Sequence, residues 1–359
     1  MAEFDTDTCA GVLMAMSGGV DSGTSALLLK NAGYRVVGAT MVLFDRPENR
    51  DLDDARALAS KLGIPHLTLD YVDGFKSKVQ DYFCAEYLAG RTPNPCVDCN
   101  RHFKMAALQQ VRQEQGLDYV ATGHYVRRVF NPSTGLFELH RAADPSKDQS
   151  YVLYHLSQDT LAHMLFPLGD FTKPQVRAIA DEAHLPVARK GESQDICFIP
   201  DGDHTGFIRR HTGRDFEPGE IVDLAGDKLG THQGLACYTI GQRKGVGVAA
   251  GHPIFVVEKR ADTNQLVMGP LEALEIGEVT ANQVSTISGS RFPGRDQAIR
   301  VEAKLNYRQT PAPGVAFCDD DGLLHVVFDQ PVRACAPGQA LVVYQEDNVL
   351  GGGTILQGR

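Results

Sequence analysis

The chain has 359 residues, of which 43% are hydrophobic and 22% charged, and its formal net charge is −10. This composition is typical of a globular protein, which excludes the disordered and fibrous classes, and the length predicts two or three domains. No apolar run approaches the roughly 20 residues that a membrane helix needs, and the acidic start is unlike a signal peptide. We therefore expect a cytoplasmic protein without a membrane partner. The negative charge argues against a non-specific coat for nucleic acid, but it leaves room for a local basic face.

Short apolar runs alternate with helical patterns over the first third of the chain. Runs typical of buried strands lie at 11–16, 35–44, 66–72 and 118–122, and helical spacing occurs at 21–31, 51–62 and 102–115. This alternation predicts an α/β domain with a parallel sheet covered by helices. Gly63 is the expected C-cap of the second helix.

The rest of the chain falls into three parts with different residue patterns. A hairpin is predicted from 125–129 and 136–140, because turn-forming residues lie between them, and helical patterns follow at 157–165 and 173–185. Glycine and proline are dense between about 201 and 270, which indicates a small mixed domain. Short strands at 298–307, 315–318, 323–328 and 340–344 then indicate a small β-barrel or sandwich.

A glycine-rich turn with the sequence Ser-Gly-Gly-Val-Asp-Ser, residues 17–22, joins the first strand to the first helix. Glycines let the backbone approach a ligand closely, and a helix N-terminus offers free N–H groups, so the pattern predicts a cradle for pyrophosphate. It has neither the lysine of a Walker loop nor the spacing of a dinucleotide fold. The alternatives for Asp21 are a metal ligand and a helix cap. The segment resembles the signature of the N-type ATP pyrophosphatases, or PP-loop enzymes, which adenylate a carbonyl-type oxygen.

Three cysteines stand out among the eight. Cys96 and Cys99 form a C-x-x-C, and Cys197 lies far away in the sequence. Three interpretations stay open: redox or sulfur-carrying thiols, a structural zinc site, and an iron–sulfur cluster on Cys96, Cys99 and Cys197. The zinc site is the weakest of these, since a second pair of ligands is missing. The other cysteines lie in a flexible start or in apolar patterns and are expected to be packed thiols.

The residues around the C-x-x-C favour the thiolate form of Cys99. Pro93 and Pro95 predict an extended loop, followed by a helix that begins near residue 102. The N-terminus of that helix, together with Arg101 and Lys104, would lower the pKa of Cys99.

Several longer motifs carry a resemblance to one family. They are the phosphate loop, the run Arg-Thr-Pro-Asn-Pro-Cys-x-x-Cys-Asn at 91–100, and the segments 122–125, 147–151, 193–198, 241–245 and 351–353. In this order and spacing they are similar to the bacterial-type tRNA-specific 2-thiouridylase family, over almost the whole chain.

The resemblance implies an activity and an architecture. The activity is ATP-dependent replacement of the C2 oxygen of wobble uridine U34 by sulfur, in the tRNAs for Lys, Glu and Gln. ATP and Mg²⁺ are the implied cofactors, and a persulfide donor such as a cysteine desulfurase or a relay protein is the implied partner. The implied parts are a PP-loop catalytic domain at 1–204, a small central domain at 205–272 and a tRNA-contacting β-barrel at 273–359. We expect a monomer.

The resemblance also implies site residues, position by position. Cys99 would be the nucleophile and Cys197 would carry the persulfide. ATP would contact Ala15, Met16, Ser17, Gly18, Gly19, Val20, Asp21, Ser22, Met41 and Gly123. The target base would contact Asn94, Pro95 and Cys96. The tRNA would contact His124, Lys147, Asp148, Gln149, Asn306, Tyr307, Arg308 and Gln339.

The chain departs from the family pattern at three places. Some members have Asp at the position of Cys96, so the acid/base role proposed there is in doubt. Ser-Gln-Asp at 193–195 replaces a Ser-Thr-Gly version, and the loop at 45–51 is short and lacks a cysteine.

Three alternatives remain. A [4Fe-4S] cluster on Cys96, Cys99 and Cys197 would carry the sulfur in place of the persulfide. The chain would otherwise be a different PP-loop enzyme or a non-catalytic RNA-binding protein.

Overall fold

The structure is a computed structural model that describes residues 10–45, 49–188, 190–191, 196–248, 250–333 and 336–359. Its α-helices are α1 (Val20–Asn31), α2 (Arg50–Leu62), α3 (Val72–Phe75), α4 (Asp81–Leu88), α5 (Pro95–Cys99), α6 (Met105–Glu114), α7 (Gln158–Ala162), α8 (Lys173–Glu182) and α9 (His204–Thr212). Its strands are β1 (Gly11–Ala15), β2 (Arg35–Val42), β3 (His66–Asp70), β4 (Tyr119–Ala121), β5 (Val126–Asn131), β6 (Leu136–Arg141), β7 (Met164–Leu165), β8 (Gly219–Val222), β9 (Lys228–His232), β10 (Phe255–Arg260), β11 (Gln265–Gly269), β12 (Glu275–Thr286), β13 (Ile299–Lys304), β14 (Ala312–Cys318), β15 (Leu324–Arg333), β16 (Ala340–Gln345) and β17 (Asn348–Gly358).

Five strands form a parallel sheet in the order β3-β2-β1-β4-β7. Val12 and Met14 of β1 pack with α1, α2 and α8 on one face, and Leu13 packs with α6 on the other. Because both faces of β1 are buried, its sequence is a continuous apolar run instead of an alternating one. This confirms the predicted α/β domain, and the loops after β1 and β4 lie side by side at its carboxyl edge.

Two helices are interrupted by π-helical turns. The turn Lys76–Gln80 lies between α3 and α4, and the turn Asn100–Lys104 lies between α5 and α6. Each set forms one continuous helix, since the residues that flank the turns keep helical backbone angles. Single π turns inside helices occur frequently at functional sites.

Residues 91–94 are non-helical, as predicted, but the predicted start of the helix that follows them is wrong. The helix begins at Pro95 and not near residue 102, so Cys96 and Cys99 both lie on α5. Proline is tolerated at the first helical position, because its missing N–H would have no partner there. Asn94 caps the helix: its side chain accepts from the backbone N–H groups of Cys96 and Val97.

A four-stranded mixed sheet, β10-β11-β8-β9, follows in the chain and confirms the small mixed domain. The remaining strands form a barrel in the order β12-β15-β14-β13-β16-β17, which closes by pairing β12 with β17. Gly351 lies where these two strands cross, at φ +148°, and a Cβ there would come within 2.2 Å of the Ser285 carbonyl oxygen. The glycines at 351–353 therefore let the barrel close.

The predicted hairpin forms from β5 and β6, and it joins the sheet of the barrel. His140 of β6 pairs with Asn348 of β17. A single core also includes Leu13 of the parallel sheet and Val342 and Tyr344 of the barrel. The barrel is thus packed against the first domain. Within the described ranges, no helix is long and apolar enough to cross a membrane.

Candidate functional site

The phosphate loop joins β1 to the N-terminus of α1. Gly19 is the N-cap of α1 and makes no side-chain capping bond, so the first N–H groups of the helix remain available to an anion. The Ser22 hydroxyl lies 3.2 Å from the Ser17 backbone nitrogen and 3.3 Å from the Ser17 hydroxyl. These contacts tie the start of the turn to the first turn of α1.

Two glycines let other segments press against this loop. Gly18 has φ +69°, and a Cβ there would come within 2.2 Å of the Asp51 carbonyl oxygen at the start of α2. A Cβ on Gly123, in the loop after β4, would come within 3.1 Å of the Ser22 backbone nitrogen. The ammonium of Lys190 completes the packing, donating to the Gly18 carbonyl at 3.1 Å and to Asp51 at 2.9 Å.

The carboxylate of Asp21 is held by two side chains. The Lys173 ammonium donates to its two oxygens at 2.7 and 2.8 Å, and the Tyr125 hydroxyl donates to Oδ1 at 2.7 Å. Since Gly19 is the N-cap, the sequence-based interpretation of Asp21 as a helix cap is wrong.

The remaining predicted ATP contacts lie at the same edge. Ala15 ends β1, and the backbone N–H of Met16 donates to the Ala39 carbonyl at 2.8 Å, which continues the sheet by one residue. Met41 lies near the end of β2 and is half-buried between two cores. The structure therefore brings the predicted ATP residues together around one edge of the sheet.

The segment before the thiols is tied to the barrel. The Gln339 side-chain amide donates to the carbonyl oxygens of Thr92 at 2.8 Å and Pro93 at 3.3 Å. The Thr92 backbone N–H donates to the Pro337 carbonyl at 2.8 Å. The barrel thus fixes the chain where it enters α5.

Five side chains around α5 define what we call the thiol recess: Cys96, Cys99, Lys104, His124 and Tyr307. Lys104 interacts electrostatically with both thiols and with His124, and Tyr307 interacts with Cys96. Cys96 is solvent-exposed, yet burial by the surrounding protein raises the pKa of its thiol. This combination indicates a group that faces an open recess and not the free surface.

Cys99 and His124 are the more enclosed members of the recess. Cys99 is 8% exposed, and burial raises the pKa of its thiol. Burial, with a smaller contribution from Lys104, lowers the pKa of His124 to about 3, so this imidazole is neutral at physiological pH. Its Nδ1 lies 2.8 Å from the Thr122 hydroxyl.

The predicted tRNA residues fall into two groups. Asp148 accepts from the backbone N–H groups of Ala142 and Ser150, and the Gln149 side chain accepts from the Tyr125 N–H at 3.0 Å. Both side chains therefore hold the local chain. Asn306, Tyr307 and Arg308 are exposed, and Lys147 is half-exposed, so these four remain accessible to a large partner.

Cys197 lies in an exposed turn near the thiol helix. The next two residues, Phe198 and Ile199, are buried in the same aromatic cluster as Cys99 and Phe103. The Cys197 and Cys99 thiols are not joined by a disulfide. The motif residues 193–195 lie outside the described residues.

The arrangement does not support the iron–sulfur cluster. Within the part of the chain that the structure describes, no group of three His, Cys, Asp or Glu side chains is placed to hold a metal ion. Cys96, Cys99 and Cys197 therefore do not form the three-thiolate set that an open cluster needs. The same finding leaves the zinc site without support. Cys84 and Cys318 are buried, as expected of packed thiols, whereas Cys237 is half-exposed; Cys9 and Cys335 lie outside the described residues.

Sequence reasoning missed several polar residues that shape the site. Lys173 and Lys190 bind the phosphate loop from 152 and 172 positions away, and the Lys304 ammonium lies within 6 Å of the ring centres of both Tyr151 and Tyr307. No local pattern indicates such long-range contacts. Lys173 is the first residue of α8. The local signal beside it was Pro174, which is typical of a helix start but does not indicate a contact with the phosphate loop.

Comparisons with known proteins agree over most of the chain. Family models match residues 10–201 (tRNA methyl transferase HUP domain), 205–270 (tRNA methyl transferase PRC-barrel domain) and 278–355 (aminomethyltransferase beta-barrel domain). A tRNA-specific 2-thiouridylase of Carboxydothermus hydrogenoformans is 44% identical over 357 residues, covering 96% of this chain and 97% of the relative. Relatives of the same name from Moorella thermoacetica and Lachnoclostridium phytofermentans are 46% and 43% identical, covering 96% of this chain and 98% and 99% of their own lengths. The chain therefore belongs to the tRNA-specific 2-thiouridylase family.

Proposed function

We propose that this protein is a tRNA-uridine 2-sulfurtransferase, which activates the C2 oxygen of wobble uridine U34 with ATP and replaces it by sulfur. One observation in the structure supports the proposal in addition to family membership. Gly123 packs on the phosphate loop, and its neighbour His124 faces Lys104 in the thiol recess. A nucleotide in the loop and a base in the recess would therefore be neighbours, as adenylation of the base requires.

ATP would bind with its phosphates on the loop 17–22. The α1 N-terminus, the Ser17 hydroxyl and nearby backbone N–H groups are fixed donors, which stabilise the charge that develops on pyrophosphate as it leaves. Mg²⁺ needs only one or two carboxylates when phosphates supply its other ligands. Asp21 is the loop carboxylate that would hold the ion, in exchange for Lys173. The bound ion would withdraw negative charge from the leaving pyrophosphate.

The uridine would enter the recess beside Cys96. A base that is already unpaired in the anticodon loop costs only a few kcal/mol to flip out. Asn94 and Pro95 form the start of α5, and Tyr307, a residue that is 40% exposed, interacts with Cys96. Aromatic rings are the usual stacking partners of flipped RNA bases. Exposed Arg308 and Lys147 would contact the RNA backbone.

Sulfur would then be transferred by two cysteines. The terminal sulfur of a Cys197 persulfide forms a bond to C2, and the C2–O bond breaks with its electron pair on AMP. The Cys99 thiolate forms a bond to Sγ of Cys197, and the sulfur–sulfur bond to the base breaks with its pair on the new 2-thio group. A Cys99–Cys197 disulfide remains, and a thiol reductant returns it to two thiols. Phe198, the neighbour of Cys197, lies in the same buried cluster as Cys99, which supports this pairing; a disulfide needs Cα atoms about 4.4–6.8 Å apart.

A reaction with unmodified tRNA for Lys, Glu or Gln tests the proposal. The protein is loaded with persulfide by a cysteine desulfurase, mixed with ATP and Mg²⁺, and assayed for pyrophosphate and for 2-thiouridine at position 34. We expect both products in equal amounts, and loss of 2-thiouridine in Cys197→Ser but not in Cys237→Ser. ATP cleavage without 2-thiouridine in any tRNA would indicate a different PP-loop enzyme. Binding of tRNA without pyrophosphate release would indicate a non-catalytic RNA-binding protein.

A further inference from the structure

The π turn after Cys99 decides which side chains share a face with the two thiols. Residues three and four positions apart are neighbours on an α-helix, so Cys96 and Cys99 lie on one face of α5. A π turn has i→i+5 bonds, so it places the residue five positions on, Lys104, above Cys99. Regular α-helical winding would place Phe103 there instead. Phe103 is buried among aromatic rings, 5.5 Å from Tyr71 and 6.0 Å from Phe75.

The contacts agree with this geometry. The Lys104 side chain interacts electrostatically with Cys99, Cys96 and His124. The other cation that the sequence places near the thiols, Arg101, points elsewhere. Its guanidinium donates to the Gln283 carbonyl at 2.5 Å and lies 3.4 Å from the Tyr154 hydroxyl.

The charge balance at the thiols therefore depends on one ammonium. Burial opposes the thiolate of Cys99, and Cys96 and Asp98 oppose it further. Tyr307 faces Cys96 from the barrel and is uncharged at neutral pH, since its own pKa is raised by burial. His124 is neutral and supplies no positive charge. Among the groups that interact with Cys99, Lys104 is the one that favours the charged form.

We propose that Lys104, carried onto the thiol face by the π turn, is the positioning residue whose positive charge opposes the effect of burial and favours the thiolate forms of Cys99 and Cys96 for sulfur transfer. The proposal rests on the proposed function, because it explains how Cys99 becomes a nucleophile towards the Cys197 sulfur. The thiol proton leaves to solvent before the attack, and the ammonium remains charged throughout. Lys104 acts through the thiols and forms no bond to the base or to ATP.

Thiol alkylation tests the proposal without tRNA or ATP. The full-length protein is treated with iodoacetamide between pH 6 and 10, and the tryptic peptide 92–101 is fragmented between Val97 and Asp98 to separate Cys96 from Cys99. For Lys104→Met we expect alkylation of Cys99 about tenfold slower at pH 7.5, as for a one-unit rise in the thiol pKa. Lys104→Arg should stay within about threefold of the unchanged protein. Lys61→Met, a change at an exposed lysine of α2, is the matched control and should have no effect.

The pH profile separates this role from a structural one. A loosened helix would expose Cys99 and speed its alkylation, whereas loss of the ammonium slows it and moves the midpoint to higher pH. If Lys104→Met does not fold, Lys104→Gln provides the same loss of charge with a shorter polar side chain. An unchanged alkylation profile in a folded Met or Gln variant overturns the proposal.

Turnover gives a second readout. Loss of the positive charge should lower kcat for 2-thiouridine formation and leave the KM for tRNA within about twofold. A rise in KM at unchanged kcat would mean that Lys104 is an RNA phosphate contact, and this also overturns the proposal. If the unchanged protein makes no 2-thiouridine, the proposed function fails, while the alkylation result for Lys104 stands by itself.

Discussion

The side-chain amide of Gln339 donates to the Thr92 carbonyl at 2.8 Å, so a residue of the barrel holds the segment from which the thiol helix starts. The neighbouring Gly338, at φ +94°, lies so close to Thr92 that a Cβ would come within 3.2 Å of three of its backbone atoms. The resemblance implied that Gln339 contacts tRNA. Its bonds in the structure favour a different role, which is to position the loop that leads to Cys96.

The role of Gln339 can be tested by Gln339→Ala. Loss of two hydrogen bonds to this loop should lower kcat for thiolation severalfold and lower the free energy of unfolding by about 1 kcal/mol. The KM for tRNA should change less than twofold, measured by steady-state kinetics with 2-thiouridine quantified. A large rise in KM at unchanged kcat would instead establish Gln339 as a tRNA contact.

Gly18 and Gly19 should respond differently to the same change. Gly18→Ala puts a Cβ at a left-handed φ and 2.2 Å from the Asp51 carbonyl oxygen, so the phosphate loop must shift. We expect the KM for ATP to rise about tenfold or more, which corresponds to about 1.4 kcal/mol. Gly19→Ala is the matched control, because Gly19 has φ −101° and the nearest atom to its Cβ, Ser17 Oγ, is 3.5 Å away. Equal effects of the two changes would contradict this account of the loop.

The ion pair between Lys173 and Asp21 should contribute to stability. The Lys173 side chain is only 9% exposed and that of Asp21 is 33% exposed. Lys173→Met leaves the carboxylate with the Tyr125 hydroxyl alone, and we expect a loss of about 1–3 kcal/mol in urea unfolding. Tyr125→Phe should cost about 1 kcal/mol. Lys61→Met, at an exposed lysine, serves as the control. If Lys173→Met lowers the free energy of unfolding no more than this control does, the ion pair does not stabilise the fold.

Asp98 should make stability depend on pH. Burial is the largest cause that raises its pKa to about 7, so the folded protein prefers the protonated carboxyl. The unfolded chain ionises near pH 4, and stability is therefore lost as the pH rises from about 4 through 7. Asp98→Asn should raise the free energy of unfolding by about 1–2 kcal/mol at pH 8, after allowance for partial exposure, and leave it unchanged near pH 4. The same gain at both pH values would rule out titration of Asp98 as the cause.

Local patterns were sufficient for the phosphate loop and for the alternation of strands and helices. A buried parallel strand followed by Gly-Gly and a helix is a short-range signal, and α1 begins one residue from its predicted start. The hairpin and the barrel were also predicted, because turn-forming residues lie between their strands. The division of the chain at 204/205 and 272/273 stays a prediction.

The thiol site depends on features that composition does not show. Pro95 indicated a loop, whereas Asn94 caps a helix that begins there. The π turn at Asn100–Lys104 has no sequence signal of its own, and it places Lys104 instead of Phe103 above Cys99. Tyr307 joins the recess only because the barrel packs on the first domain, which is a long-range contact.

The most direct test of two-cysteine sulfur transfer at this site is a single turnover with Cys99→Ser. The variant is loaded with persulfide, mixed with ATP, Mg²⁺ and tRNA, and analysed on a non-reducing gel. We predict a tRNA joined to Cys197 through a disulfide, which a reductant releases as 2-thiouridine, because no Cys99 thiolate is present to free the sulfur. Free 2-thiouridine formed without reductant at the rate of the unchanged protein, and with no joined species, would contradict the account.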